Sequence, residues 1–307
     1  MLLKKYMVYG IVILAMLFWS ATYIWYKVVF ETLRPISVMT IRLLFSSMFL
    51  LIFSSLIKKL QIPNRKDFGW LLLLSLFQPF LYFLAESYGV SIVSPTVAAV
   101  IISTIPVFTP LVAYLFFRQT ITIYNFWGIL ISFIGVIMVL LGKSFMFDGS
   151  VLGLIILIGA VLSALGYAAI IVRLTDKYNA FTIISWQNLF GFFYFLPFFF
   201  IFDYKHFVTA PFSQTLVLNL IYLSLFGSSL AYVLFTYSIK TIGITKASLF
   251  TNTIPLFTAL FAYLKFGETL TAYKYLGIIV VLIGLYLGQT KRTSLIQNKK
   301  KKNMTFK

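Results

Sequence analysis

Thr104-Ile-Pro-Val-Phe-Thr109 recurs 149 residues later as Thr253-Ile-Pro-Leu-Phe-Thr258, and the likeness extends well beyond these six residues. Positions 88–139 and 237–288 align without a gap and share 20 identical residues of 52. Ala113-Tyr-Leu-x-Phe117 matches Ala262-Tyr-Leu-x-Phe266, Thr120 and Thr122 match Thr269 and Thr271, and Gly128 and Gly135 match Gly277 and Gly284. A duplicated unit at a fixed offset means that one structural module is present twice.

The medium around both copies follows from composition. The chain is 61% hydrophobic and 10% charged, with a mean hydropathy of +0.99. A soluble domain carries roughly 25% charged residues, so this chain cannot clothe itself for water. It has no cysteine, which excludes disulfides and thiolate metal sites. Its one histidine, His206, cannot build a multi-histidine metal site or a haem pair, so neither metal nor cofactor is expected.

A helix needs about 20 apolar residues to cross roughly 30 Å of hydrocarbon. Ten stretches meet that length, at 7–28, 36–57, 69–89, 95–117, 124–142, 151–172, 181–202, 215–239, 246–266 and 274–289. The first is too long for a cleaved signal peptide and lacks a small-residue cleavage pattern. Lys and Arg fall between these spans about three times as often on the N-terminal side of the membrane as on the other, which sets both termini in the cytoplasm. The net charge of +18 is therefore a topology signal, and no nucleic-acid partner is expected.

The expected fold is all-α and integral to the membrane, with ten transmembrane helices in two five-helix repeats. Residues 1–145 form the first repeat, 146–290 the second, and 291–307 a basic cytoplasmic tail able to hold to anionic membrane lipids. Five is odd, so the second repeat enters the membrane inverted relative to the first. Inverted repeats of this kind underlie alternating access in secondary carriers, whose substrate sites lie between the halves near the bilayer midplane.

The paired Thr-Ile-Pro-x-Phe-Thr helices, the run Ala262-Tyr-Leu-Lys-Phe-Gly-Glu-Thr-Leu-Thr271 and the glycine-spaced last helices resemble the EamA family of the drug/metabolite transporter superfamily. The resemblance spans residues 7–289. It implies a bacterial plasma-membrane carrier for a small molecule, an amino acid, a drug or another metabolite, working by proton coupling or exchange. The family's glutamate after the proline helix is present as Glu268 but is Gln119 in the first repeat.

Polar residues within the spans are few. Glu86 is the only acid well inside one, and Arg42 the only comparable base. Intramembrane charges face a partner or a water-filled cavity. Glu86 either takes up a coupling proton or a substrate amine, or pairs structurally with Arg42. Gln78, Tyr82 and Glu86 are spaced i, i+4, i+8 and share one helix face. Trp19 and Tyr23, Tyr167 beside Ser163, the run Trp186-Gln187-Asn188, and Asn252 complete a candidate substrate cavity. Each of these also fits ordinary interhelical hydrogen bonding, worth about 0.6 kcal/mol per pair. Pro106 and Pro255 sit mid-span in both copies, removing a helix hydrogen bond each, and read as paired hinges. Gly128, Gly135, Gly277 and Gly284 read as close-packing surfaces of scaffold helices.

A carrier accounts for the duplication, the inversion and the buried polar stripe together. Within that class, efflux of drugs or toxic compounds is the alternative to export of an amino acid-like metabolite. A channel requires a repeated polar ring or filter sequence, and a membrane enzyme requires clustered acids or a nucleophile–base pair; neither pattern is visible. Cysteines placed at Lys143 and at Lys205 are expected to react with an impermeant reagent from outside, while tags on both termini stay cytoplasmic. Protection of both cysteines in intact cells would overturn the ten-span topology.

Overall fold

The computed structural model describes residues 2–105, 108, 123–140, 150–244, 247, 250–267 and 271–289. The described residues contain helices and no strand. Six helical stretches are long and apolar enough to cross a membrane: Met7–Val29, Pro35–Leu56, Arg65–Ile92, Val151–Thr175, Ala180–Thr209 and Gln214–Ile242. Phe126–Gly135 and Ala272–Gly284 are shorter apolar helical stretches. The chain is thus a multi-pass, all-helical membrane protein with six clear spans where ten were expected. Much of the expected span 95–117, parts of 124–142 and 246–266, and the whole 291–307 tail lie outside the described residues.

Helix α1 covers Leu2–Val29, α2 Pro35–Leu56, α3 Arg65–Ser75, α4 Tyr82–Ile92 and α5 Pro95–Ile102. Further on, α6 covers Ile123–Leu140, α7 Val151–Thr175, α8 Ala180–Phe198, α9 Tyr204–Thr209, α10 Gln214–Tyr222, α11 Ala231–Ile242, α12 Ile254–Phe266 and α13 Ala272–Gln289. Local sequence sets the starts. Ser94, Ser150, Asn179 and Ser213 each accept from the backbone N–H three residues on, satisfying a donor that the first turn leaves free. Pro35 and Pro95 occupy first-turn positions where no N–H is needed. Gly267, at φ 65°, ends α12 in the left-handed region that a glycine enters without steric cost.

The third long helix is interrupted. Between α3 and α4, Leu76–Leu81 forms a π-helical segment in which Gln78 leaves helical geometry (φ −149°, ψ 118°) ahead of Pro79. The Gln78–Pro79 peptide bond is cis. Two more π-helical segments follow among the described residues, Phe199–Asp203 between α8 and α9 and Leu223–Leu230 between α10 and α11. Shifted by 149, Leu76–Leu81 falls within Leu223–Leu230. The same shift carries the start of α1 onto that of α7, α3 onto α10, and α6 onto α13 from end to end.

Packing repeats this equivalence. α1 lies against α11 and α12, and its counterpart α7 lies against α4 and α5; α2 and α8 cross at the centre. α6 and α13 pack on one another, and four glycines set their distance. A Cβ on Gly135 would strike the backbone of Gly277 and Val281; one on Gly284 would strike the backbone of Gly128 and Ser132. Residue numbers fall along α6 as they rise along α13, so the two helices run antiparallel. Each contact also has its mirror under the 149-residue shift, as across a two-fold axis. Ser132 adds a hydroxyl bond to the Val281 carbonyl at 3.3 Å.

Pro255 departs from expectation. It stands in the first turn of α12, after a 3-10 turn at Phe250–Thr253, and not in the middle of a continuous helix. A first-turn proline costs no hydrogen bond, since that N–H has no helical acceptor. Pro106 lies outside the described residues.

Gly135→Leu and Gly284→Leu are each expected to lower stability by about 1–3 kcal/mol through overpacking. Gly10→Leu, where nothing lies within 4 Å of the added carbon, is expected to leave it unchanged. Thermal unfolding of the three variants in detergent checks this.

Candidate functional site

Seven of the side chains anticipated for a cavity converge. Trp19, Tyr23, Arg42, Gln78, Tyr82, Glu86 and Tyr167 line an internal cavity of about 100 Å³ between α1, α4, α7 and α11. At ~30 Å³ per liquid water, that is room for only a few waters. Ligand pockets run to roughly 300–1,000 Å³, so the cavity is small beside them.

Glu86 organises the polar end. Its side chain is 95% inaccessible, yet its carboxylate is well supplied with donors. Tyr82 donates to Oε1 at 2.8 Å, Tyr23 to Oε1 at 3.3 Å, and Tyr26 to Oε2 at 3.3 Å. Tyr82 reaches it from one turn earlier on the same helix; Tyr23 and Tyr26 reach it from α1. A phenol has one proton, so three hydroxyls aimed at one acid use its acceptor capacity from three sides.

Arg42 is fully buried on α2. It donates from Nε to Ser228 Oγ and from a terminal nitrogen to the Tyr26 hydroxyl. Its guanidinium carbon sits 4.2 Å from the Phe83 ring centroid. Arginine carries no acceptor, so Tyr26 must accept from it, which leaves the Tyr26 proton free for Glu86. The direct Arg42–Glu86 pair considered from sequence is not formed: the ion pairs among the described residues are Lys177–Asp67 and Arg34–Asp203. Tyr26 stands between base and acid.

The rest of the wall is aromatic. Trp19 meets Tyr232 and Phe235 at ring-centroid distances of 5.0 and 4.9 Å. Gln78 donates its amide to the Tyr232 hydroxyl, so the interrupted helix still presents Gln78, Tyr82 and Glu86 to one cavity. Trp19 Nε1 is buried without a hydrogen-bond partner.

Four expected lining residues stand elsewhere. Trp186 packs on Phe68 and Phe190 and donates to the Gln61 carbonyl at 3.2 Å, tying α8 to the segment before α3. Asn188 bridges Ser46 Oγ and the Ser228 carbonyl, joining α2, α8 and the π-helical segment Leu223–Leu230. Gln187 is buried away from the cavity, with its carbonyl oxygen unpartnered. Asn252 lies in the 3-10 turn, where its neighbours Thr251 and Ile254 line the cavity and it does not. Adjacent residues on a helix point about 100° apart, so a run of three polar residues cannot all face one cavity.

Sequence reasoning missed Tyr26, Phe83, Tyr232 and Phe235. The duplication offered a signal for two of them: Tyr232 is the counterpart of Phe83, and Phe235 that of Glu86. The same shift pairs Arg42 with Gly191 and Gln78 with Gly227. A Cβ on Gly227 would meet Thr22 and the Arg42 guanidinium, and one on Gly191 would meet the Pro79 ring. The second repeat is thus hollowed out where it faces the polar side chains of the first.

The described residues form a bundle of membrane-length apolar helices around a buried cavity with a polar end. The chain is a member of the EamA-like transporter family, which it matches twice, over residues 7–141 and 151–288. It is 25% identical over 270 residues to an uncharacterized transporter, YdfC, of Bacillus subtilis, covering 87% of this chain and 86% of that one. An uncharacterized transporter of Archaeoglobus fulgidus is 25% identical over 281 residues, covering 91% and 96%. A solved crystal structure superposes with a TM-score of 0.68 at 12% identity over 95% of this chain and 98% of that one, which shows a shared fold.

Because Arg42 keeps Ser228 and Phe83 when Glu86 changes, Glu86→Gln is expected to cost within roughly 1.5 kcal/mol, the scale of one charged hydrogen bond. Arg42→Leu loses all three anchors and is expected to cost roughly twice that or more, as for removal of a buried, hydrogen-bonded charge. Equal destabilisation in a melting series would indicate a conventional pair.

Proposed function

We propose that this protein is a secondary active carrier. It moves a small zwitterionic or amphipathic metabolite, such as an amino acid, outward across the bacterial cell membrane, coupled to protons or to exchange. The observation that carries the reading is Glu86: an intramembrane acid, closed off from solvent, on the wall of a central cavity and held by hydroxyls from two helices. Buried intramembrane acids of this kind serve ion and substrate pathways. Glu86 receives the coupling proton or the substrate amine, and Tyr26 passes the change in charge to Arg42. Trp19, Tyr232 and Phe235 hold the apolar body.

Two inverted repeats, 1–145 and 146–290, give the alternating motion. The antiparallel, two-fold packing of α6 on α13 supports that reading, as does the overlap of the π-helical segments Leu76–Leu81 and Leu223–Leu230 under the 149-residue shift. The junction before Pro255 is the natural bending point in the second half, with Pro106 its counterpart. The distribution of Lys and Arg supports cytoplasmic termini. The aromatic wall favours a second reading within the same class, efflux of an apolar, drug-like compound.

Purified protein in liposomes is expected to give saturable counterflow with an amino acid or an amphipathic amine; a non-saturating conductance would mean a channel. Glu86→Gln is expected to abolish uptake driven by a proton gradient while sparing exchange. Normal proton-driven uptake by folded Glu86→Gln protein would remove Glu86 from coupling.

A further inference from the structure

A second concavity lies on the outside of the bundle, back to back with the central cavity. It is a groove of about 1,070 Å³. One lip is the interrupted third helix, through Phe77, Leu81 and Ala85; the other is α7, through Gly159, Leu162 and Ser163. Leu162 and Leu81 are exposed there, on a face that meets hydrocarbon in the membrane. The same two helices turn their other faces inward: Gln78, Tyr82 and Glu86 on one, Ala164 and Tyr167 on the other, line the cavity. A single helix–helix seam separates groove from cavity.

The seam is thin and locally fastened. Gly159 faces Ala85 with only 4.0 Å between a built Cβ and the alanine carbon. Gly166 leaves the space in which the Phe77 ring sits. Ser163 Oγ donates to the Phe77 carbonyl at 2.5 Å. That carbonyl belongs to the π-helical segment, where Pro79 supplies no N–H and helical geometry fails at Gln78. The Phe77 carbonyl accepts from the Tyr82 backbone N–H of its own helix as well, while α7 holds both that carbonyl and the ring. At the rim, Asp203 is engaged by the Ser37 backbone and hydroxyl at 3.0 and 3.1 Å. Arg34 stays half exposed beside it at 4.0 Å. The rim thus offers the exposed Arg34 cation, beside a buried and engaged Asp203, above an apolar trough.

We propose that this groove is a lateral portal, through which an amphipathic substrate with an apolar body and a charged head passes between the bilayer and the central cavity, with Phe77 as the latch. The proposal rests on the carrier reading above, and it assigns the route by which the substrate arrives.

The chain has no cysteine, so Ala164→Cys puts one thiol on the cavity wall. Its labelling is followed in liposomes with two reagents, a long-chain alkyl maleimide dissolved in the bilayer and a sulfonated maleimide confined to water. Phe77→Ala is expected to speed alkyl-maleimide labelling about tenfold, the effect of removing roughly 1.4 kcal/mol of closure. Ser163→Ala is expected to speed it less, and Gly159→Leu, which fills the trough, to slow it. The sulfonated reagent is expected to react at one rate in all. Unchanged alkyl-maleimide rates overturn the portal and leave a groove that only holds bilayer lipid. Equal acceleration with both reagents overturns it too, as general loosening. Should Phe77→Ala not fold, Ser163→Ala and Gly159→Leu decide alone. Counterflow without these rate changes removes the portal and keeps the carrier; the rate changes without counterflow do the reverse.

Discussion

A carboxylate inside an apolar bundle has to be solvated by the protein, and much of this molecule's centre is arranged around that requirement at Glu86. Burying an ion unaided costs several kcal/mol even after relaxation. The solution is three phenolic donors from α1 and α4, a guanidinium one phenol away, and a serine and an aromatic ring to hold the guanidinium. The two charges share Tyr26, and Arg42 has Ser228 and the Phe83 ring besides.

The arrangement also explains why the two repeats differ where they are otherwise alike. Several element starts coincide under a 149-residue shift, and the four-glycine contact of α6 and α13 is two-fold to the residue. At the cavity the symmetry is given up. Glycines 191 and 227 stand opposite Pro79 and Arg42, where an added Cβ would collide with them. One half supplies the charged groups and the other the room and the Ser228 anchor.

Much of this was legible in the chain. The class followed from hydropathy, the shared helices from the internal match, and Tyr82 and Glu86 from spacing alone, since an i+4 interval holds on a helix whatever surrounds it; Gln78 joins them although helical geometry fails there. Long spans were placed within a few residues because the hydrocarbon thickness sets their length. Pro255 was read less well: a proline in an apolar run looks the same whether it bends a helix or begins one, and only the 3-10 turn before it distinguishes the two. Tyr26 was invisible because one more tyrosine among 19 carries no signal until its neighbours are known.

By itself, the sequence determined an all-helical membrane protein made of two related halves, with one acid and one base in its interior. Those properties depend on composition and on periodicity along the chain, which are local. Only the tertiary structure decided that acid and base meet through a phenol, that Trp186 and Asn188 serve packing between helices, and that α4 and α7 divide a groove from a cavity. These depend on the rotation and approach of helices distant in sequence. The small residues at their crossings set both quantities, through contacts that no stretch of chain contains alone.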